Sequence, residues 1–204
     1  DNIQFKNIIK LLQPEEEINI NMISYNLNLD ISLCPNFQIE WLEQYTNFIE
    51  KCDWDNFSSH QNLKKEWIDR HPYNTWNWSL IVKNPNFQLD WIKDIPEYDN
   101  WIFKNMSENP NLQLDWLKKF PKKEWNWEKI SINQNFQLDW LELFPDKDWD
   151  FYNISKHPNL QIEWLELFPD KDWEWLNICR NKNLKLEWIL RLPDKPWEFR
   201  EIYR

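Results

Sequence analysis

The side chains of this 204-residue chain that could do chemistry are three histidines, three cysteines and a regularly spaced ladder of acids. Histidine and cysteine beside carboxylates could ligate a metal or form a nucleophile–base pair. Yet Cys34, Cys52 and Cys179 form no CxxC pair, and no His/Cys/Asp/Glu set has the spacing of a metal site. Glycine is absent, so there is no phosphate-cradling loop and no nucleophile elbow. The reading is a non-enzymatic protein with no cofactor, no metal and no small-molecule substrate. The acid ladder (Glu40, Glu66, Asp90, Asp115, Asp139, Glu163, Glu187) could bind cations or Lys/Arg side chains. A plainer reading is that each acid caps or complements a helix start, since a feature present in every unit serves the fold.

Those acids lead to the elements that must position them. Each precedes a tryptophan, giving Trp41, Trp67, Trp91, Trp116, Trp140, Trp164 and Trp188, in steps of 26, 24, 25, 24, 24 and 24. Seven tandem units follow: 35–60, 61–84, 85–109, 110–133, 134–157, 158–181 and 182–204. Residues 1–34 form a degenerate N-terminal capping unit, with "NIQF" (Asn2 to Phe5) where later units have "NFQL". The extra residues of the 26- and 25-residue units fall where other units have "PDKDW", which marks a loop between two elements.

Both elements read as short helices. "NFQLDW" alternates like a strand, but the alternation then fails. At about 100° per residue, Leu138, Trp140, Leu141, Leu143 and Phe144 instead cover an apolar arc of roughly 220°, as in a helix sandwiched between neighbours. In the second element Trp127, Ile130 and Ser131 share a face. Pro121, Pro145, Pro169 and Pro193 stop the first helix, and Pro85, Pro110 and Pro158 follow the second. A pair this short cannot bury so wide a face alone, so it is repeated and stacked. The expected fold class is all-α, an α-solenoid of stacked two-helix repeats of about 24 residues, roughly 60–70 Å long with layers ~8–10 Å apart.

Other ladders qualify this picture. Asn36, Asn62, Asn86, Asn111, Asn135, Asn159 and Asn183 read as turn and cap residues. A second aromatic ladder runs through Trp76, Trp101, Trp125, Trp149, Trp173 and Trp197. The tryptophans could stack nucleic-acid bases; core packing is the preferred role, because a fully buried Trp removes roughly 200 Å² from water, about 5 kcal/mol gross. His60 and His157 fall on the turn position occupied elsewhere by Asn84, Asn109, Asn133 and Asn181, which makes them repeat residues and not ligands. Ser58, Val82, Ser107, Ser131, Ser155 and Cys179 share a small position that lets helices approach closely. Tyr203 breaks it, which places Arg204 near the end of the array.

Net charge is −10, which disfavours a phosphate-backbone binder but leaves a local basic patch open. Lys118, Lys119, Lys122 and Lys123 are that patch, a solvated face or a dock for an acidic partner. The positions that vary most follow the second aromatic, among them Glu128, Lys129, Tyr152, Asn153, Leu176 and Asn177. Together with the first-helix ends (Arg70, Lys93, Lys118, Lys119, Arg191) they form the expected recognition surface. The odd cysteine count suggests a reducing compartment, and no apolar run nears the ~18–20 residues of a membrane span. The chain opens on Asp1, as a trimmed chain or part of a longer one would.

The consensus is clearest in "PNLQIEWLELFPDKDWEWLNICRN" (Pro158 to Asn181) and "LPDKPWEF" (Leu192 to Phe199). It resembles the short Trp-rich tandem repeats of giant DNA viruses, where a pattern like N-P-N-I-T-W-E is followed by P-D-K-P-W-x-W. The resemblance covers 35–204, with the first Trp two residues later and Gln in place of Thr. An A/T-biased composition, rich in Asn, Lys, Ile and Phe, agrees with such a source. The resemblance implies a repeat protein of host cytoplasm, viral factory or virion, and transfers no functional residue. The expected function is a protein-binding scaffold or viral structural component; the alternative is a helical repeat protein that binds single-stranded nucleic acid. A third reading, an accessory domain cut from an enzyme or ubiquitin-pathway chain, predicts a missing N-terminal segment.

Overall fold

The structure, a computed structural model, describes residues 39–40, 53–94 and 100–202. The leading unit 1–34, Trp41, Cys34, Cys52, Tyr203 and Arg204 lie outside the described residues. The chain divides into two compact units, Asp1–Pro96 and Glu97–Arg204. Among the described residues the regular structure is helical and contains no strand.

The first unit contains α1 (Trp54–Ser58), α2 (Lys65–Arg70), α3 (Trp78–Ile81) and a 3-10 helix at Leu89–Asp94. The second contains α4 (Asn100–Met106), α5 (Leu114–Lys119), α6 (Trp127–Ser131), α7 (Leu138–Leu143), α8 (Phe151–Ile154), α9 (Ile162–Leu167), α10 (Trp175–Cys179), α11 (Leu186–Arg191) and α12 (Phe199–Ile202). First and second helices alternate at the expected period.

The first helices, α2, α5, α7, α9 and α11, follow an extended N-cap residue, Gln or Lys, whose side chain makes no capping bond. The acid ladder sits inside the first turn (Glu66, Asp115, Asp139, Glu163, Glu187), so it complements the macrodipole and does not cap. Four of the second helices, α1, α3, α6 and α8, are capped by side chains, whereas Glu174 before α10 makes no side-chain cap bond. Asn77, Asn126 and Asp150 accept the N–H three residues on, and Asp53 accepts that of Asp55.

With no glycine available, the first helices end on residues at negative φ. His71, Phe120, Phe144, Phe168 and Leu192 have φ between −125° and −130° and ψ between 55° and 58°. Each precedes a proline, which has no N–H to continue the ladder. The freed carbonyl accepts the indole N–H five residues later, from Trp76, Trp125, Trp149, Trp173 or Trp197, at 2.7 to 3.0 Å. The second tryptophan thus closes the turn that the proline opens.

Burial follows columns through the repeats. The second helices contribute Phe57, Ile81, Met106, Ile130, Ile154 and Ile178, all 0% exposed. The first-helix tryptophans Trp67, Trp91, Trp116, Trp140, Trp164 and Trp188 are 2 to 6% exposed. Within each unit the second helices of consecutive repeats pack together: α1 on α3, α6 on α8, α10 on α12.

Two packing expectations fail. Leu143 belongs to the predicted apolar arc but is half in water, because a six-residue helix buries its central Trp140 and Leu141 and leaves its last residue pointing away. Trp101 is exposed because α4 starts at Asn100 and takes this tryptophan into the helix, whereas Trp125 precedes α6 by two residues.

Candidate functional site

Side chains shared by the repeats hold one repeat to the next, in three polar rungs and one aromatic. The first runs through the buried turn ladder. The side chains of His60, Asn84, Asn109, Asn133, His157 and Asn181 each accept the N–H two residues on, at 2.7 to 3.1 Å. The remaining polar atom reaches back to the same position one repeat earlier. Asn84 donates to the His60 carbonyl (2.9 Å), Asn133 to Asn109 (2.8 Å), His157 Nε2 to Asn133 (2.9 Å) and Asn181 to His157 (3.0 Å).

Histidine substitutes for asparagine here because its two ring nitrogens present the same acceptor and donor. The bond from Asn159 N–H to Nδ1 assigns the His157 proton to Nε2. Burial lowers the His157 pKa below its ordinary value, opposed by its bond to the Asn133 carbonyl. Both nitrogens are engaged only while the ring is neutral.

A second rung comes from the neighbouring asparagines. Asn135 Nδ2 bridges the carbonyls of Pro110 and Leu112, and Asn159 those of Gln134 and Phe136. Asn183 does the same to Pro158 and Leu160.

The third rung gives the small position a job beyond being small. Ser58, Ser107, Ser131 and Ser155 each donate to the carbonyl four residues back and accept the N-cap N–H of the next repeat's second helix. The acceptor bonds come from Asn77, Asn126 and Asp150 at 2.9 Å and from Glu174 at 3.0 Å. Cys179 Sγ takes the Glu198 N–H at 3.2 Å. Burial, with Glu198 and Glu201 nearby, pushes the thiol pKa up despite that bond, so Cys179 is a packing residue and a poor nucleophile. Val82 offers no lone pair at this position.

The fourth rung is aromatic. The second tryptophan meets the preceding repeat's helix aromatic edge-on: Trp76 on Trp54, Trp125 on Phe103, Trp149 on Trp127, Trp173 on Phe151 and Trp197 on Trp175, with centroids 4.8 to 5.3 Å apart. The turn lysines Lys123, Lys147, Lys171 and Lys195 lie 5.3 to 5.9 Å from those same rings of the preceding repeat.

The candidate recognition residues divide against this framework. Arg70 pairs with Glu40 and Glu66, at 2.9 and 2.8 Å. Arg191 pairs with Glu163, Glu166 and Glu187, the Glu166 bond foremost in keeping its guanidinium charged. Lys118 lies 3.5 Å from Asp115, and Lys119 sits over the Phe120 ring. Lys123 belongs to the cation–π rung, whereas Lys93, Lys122 and Glu128 are exposed. Lys129, Asn153 and Leu176 are half-buried, Asn153 bonding to Asp150. Tyr152 is exposed beneath Lys156. Asn177 is buried, its amide donating to the Tyr152 carbonyl, so it lies in the packing and not on the surface.

The hydroxyl latch and the indole bond escaped the sequence reading. Their signal was a small column holding Ser in four repeats and Cys in a fifth, with Val82 the exception, and a Trp five residues after the residue that ends the first helix in five repeats. Among the described residues no group of His, Cys, Asp and Glu is placed to hold a metal ion, and no helix is long and apolar enough to cross a membrane. No family model matches the chain, and neither a curated protein nor a solved structure matches it.

Proposed function

We propose that this chain is a non-enzymatic α-solenoid of seven stacked repeats behind a degenerate leading unit, serving as a protein-binding scaffold or viral structural component. One observation carries the reading. The asparagines, serines and second tryptophans common to the repeats are engaged with the preceding or following repeat. What recurs therefore holds the stack, and several of the positions that vary, among them Lys93, Lys122, Glu128 and Tyr152, are exposed. That division is how stacked-repeat binders set specificity. The viral part of the reading rests on the resemblance of the Trp-rich consensus.

Burial also weighs between protein and nucleic acid as the partner. Base stacking needs an open ring face, and the first-helix tryptophans are 2 to 6% exposed, with Trp125, Trp149, Trp173 and Trp197 at 5 to 8%. The test is affinity capture of the tagged chain from infected or native material, with and without nuclease, read by mass spectrometry. A defined protein surviving nuclease is the expected result. Recovery of nucleic acid, or of proteins lost on nuclease treatment, overturns the reading.

A further inference from the structure

The first-helix ends of repeats 134–157 and 158–181 carry a feature that the rungs leave unused. Leu143 and Leu167 occupy the same place in consecutive repeats and are 50% and 55% exposed. The same helix ends and turns present carboxylates. Glu142, Asp146 and Asp148 in one repeat, and Asp170 and Asp172 in the next, are exposed and make no ion pair among the described residues. The intervening Lys147 and Lys171 lie over the Trp127 and Phe151 rings of the preceding repeats.

The edge changes sign on either side. Repeat 110–133 has Lys118 and Lys119 at the corresponding positions, and repeat 182–204 has Leu190 and Arg191, the arginine holding Glu163 and Glu166. The acidic, leucine-bearing face is thus two repeats long and bounded by cations. At ~8–10 Å per helix layer it spans roughly 16–20 Å.

We infer that this face docks a basic, leucine-rich helical segment of another protein. Its Lys or Arg side chains meet the carboxylates, and two apolar side chains one layer apart cover Leu143 and Leu167. Positions i and i+7 of a helix are about 10.5 Å apart, which matches the layer spacing. Each of the two repeats holds five acids against two cations, and the chain carries −10 in all, so a cationic partner is drawn in while a second copy or a phosphate backbone is repelled. Lys118 and Lys119 repel a basic segment shifted toward repeat 110–133, and in repeat 182–204 Arg191, held by three carboxylates, stands where the leucine would be, so the two replacements fix the site to these two repeats. The inference rests on the protein-binding reading and specifies its partner.

The test uses a fluorescein-labelled 14-residue Lys/Leu peptide with leucines at i and i+7, and a Glu/Leu counterpart, titrated against the full chain by fluorescence anisotropy. The Lys/Leu peptide is expected to bind 1:1 and more weakly as salt rises, while the Glu/Leu peptide does not bind. L143S/L167S and E142K/D146K/D148K, with unchanged far-UV spectra, are each expected to weaken binding at least tenfold. D90K/E108K/E198K makes the same net-charge change at exposed acids elsewhere and is expected to stay within threefold. Absence of binding, retention of affinity by L143S/L167S, or an equal loss on D90K/E108K/E198K each overturns the surface. A protein captured equally by the wild type and L143S/L167S also overturns this surface but leaves the protein-binding reading standing; capture of no protein by either overturns that reading.

Discussion

Asn133 is the most exacting place to test the rungs, because three replacements separate shape, donor and charge. It is 7% exposed, accepts the Asn135 N–H at 3.0 Å, and donates to the Asn109 carbonyl at 2.8 Å. N133A leaves the Asn135 N–H without its acceptor, a cost of about 1–3 kcal/mol. The Asn109 carbonyl suffers less, since it keeps the Leu112 N–H at 3.1 Å. The expected loss is roughly 2–3 kcal/mol, or about 5–10 °C in midpoint at this chain length. N133D keeps the shape and one acceptor but turns a carboxylate oxygen toward the Asn109 carbonyl. Its expected cost is larger, roughly 3–5 kcal/mol, as for an unpaired buried charge. N133H reproduces the His157 solution, with Nδ1 accepting and Nε2 donating, and is expected to cost less than about 1 kcal/mol. Urea unfolding followed by both circular dichroism and tryptophan fluorescence gives the ranking, with coincident curves required because repeat arrays can lose cooperativity. If N133H is as damaging as N133A, or N133D is harmless, the rung is not what holds the repeats together.

Other expectations follow from the same geometry. S155V removes the acceptor for the Glu174 N–H and should cost about 1–3 kcal/mol, with S155C intermediate because Cys179 makes the same bond naturally; equal urea midpoints for all three proteins would refute the latch. For His157 the folded pKa lies below the ordinary 6.5, so the unfolded chain takes up the proton first. Its contribution is complete above about pH 6.5 and falls as pH drops through the window down to the lowered value, at up to ~1.4 kcal/mol per pH unit. Between pH 8 and 5.5 the wild type should therefore lose more stability than H157N, and equal losses would contradict the neutral-ring assignment. Cys179 should react with a maleimide only on unfolding, since it is 4% exposed with a raised pKa; labelling of Cys179 itself in the folded chain, located by peptide mapping, at the rate of an exposed thiol would contradict its placement.

The period and the two-helix division were legible because an acid–Trp pair recurs in every unit and prolines punctuate both elements. The interchange of His and Asn at one turn position announced a shared role, and the ring nitrogens of His157 explain it atom by atom. The outward turn of Leu143 was not legible: an arc drawn at 100° per residue does not show that the helix stops at that residue, before Phe144 and Pro145. Serine hid the latch, since a residue both small and hydrogen-bonding satisfies close approach and bonding alike. Only Val82, small but without an acceptor, separates the two properties. The acid ladder was half legible, because a charge in the first turn and a side-chain cap leave the same trace in sequence. Recognition residues were the least legible: exposed Glu128 and buried Asn177 both belong to variable columns, and only the fold tells them apart.

The proposed α-solenoid requires the repeats to stack into an extended array, so the dimensions of the chain in solution bear on the proposal most directly. Small-angle X-ray scattering of the monomer measures them. Seven layers ~8–10 Å apart predict a particle roughly 60–70 Å long with a radius of gyration of about 20 Å or more. A radius near the ~17 Å of a compact globule of this length would mean that the repeats fold back on one another, and the reading of an extended binding scaffold would be wrong.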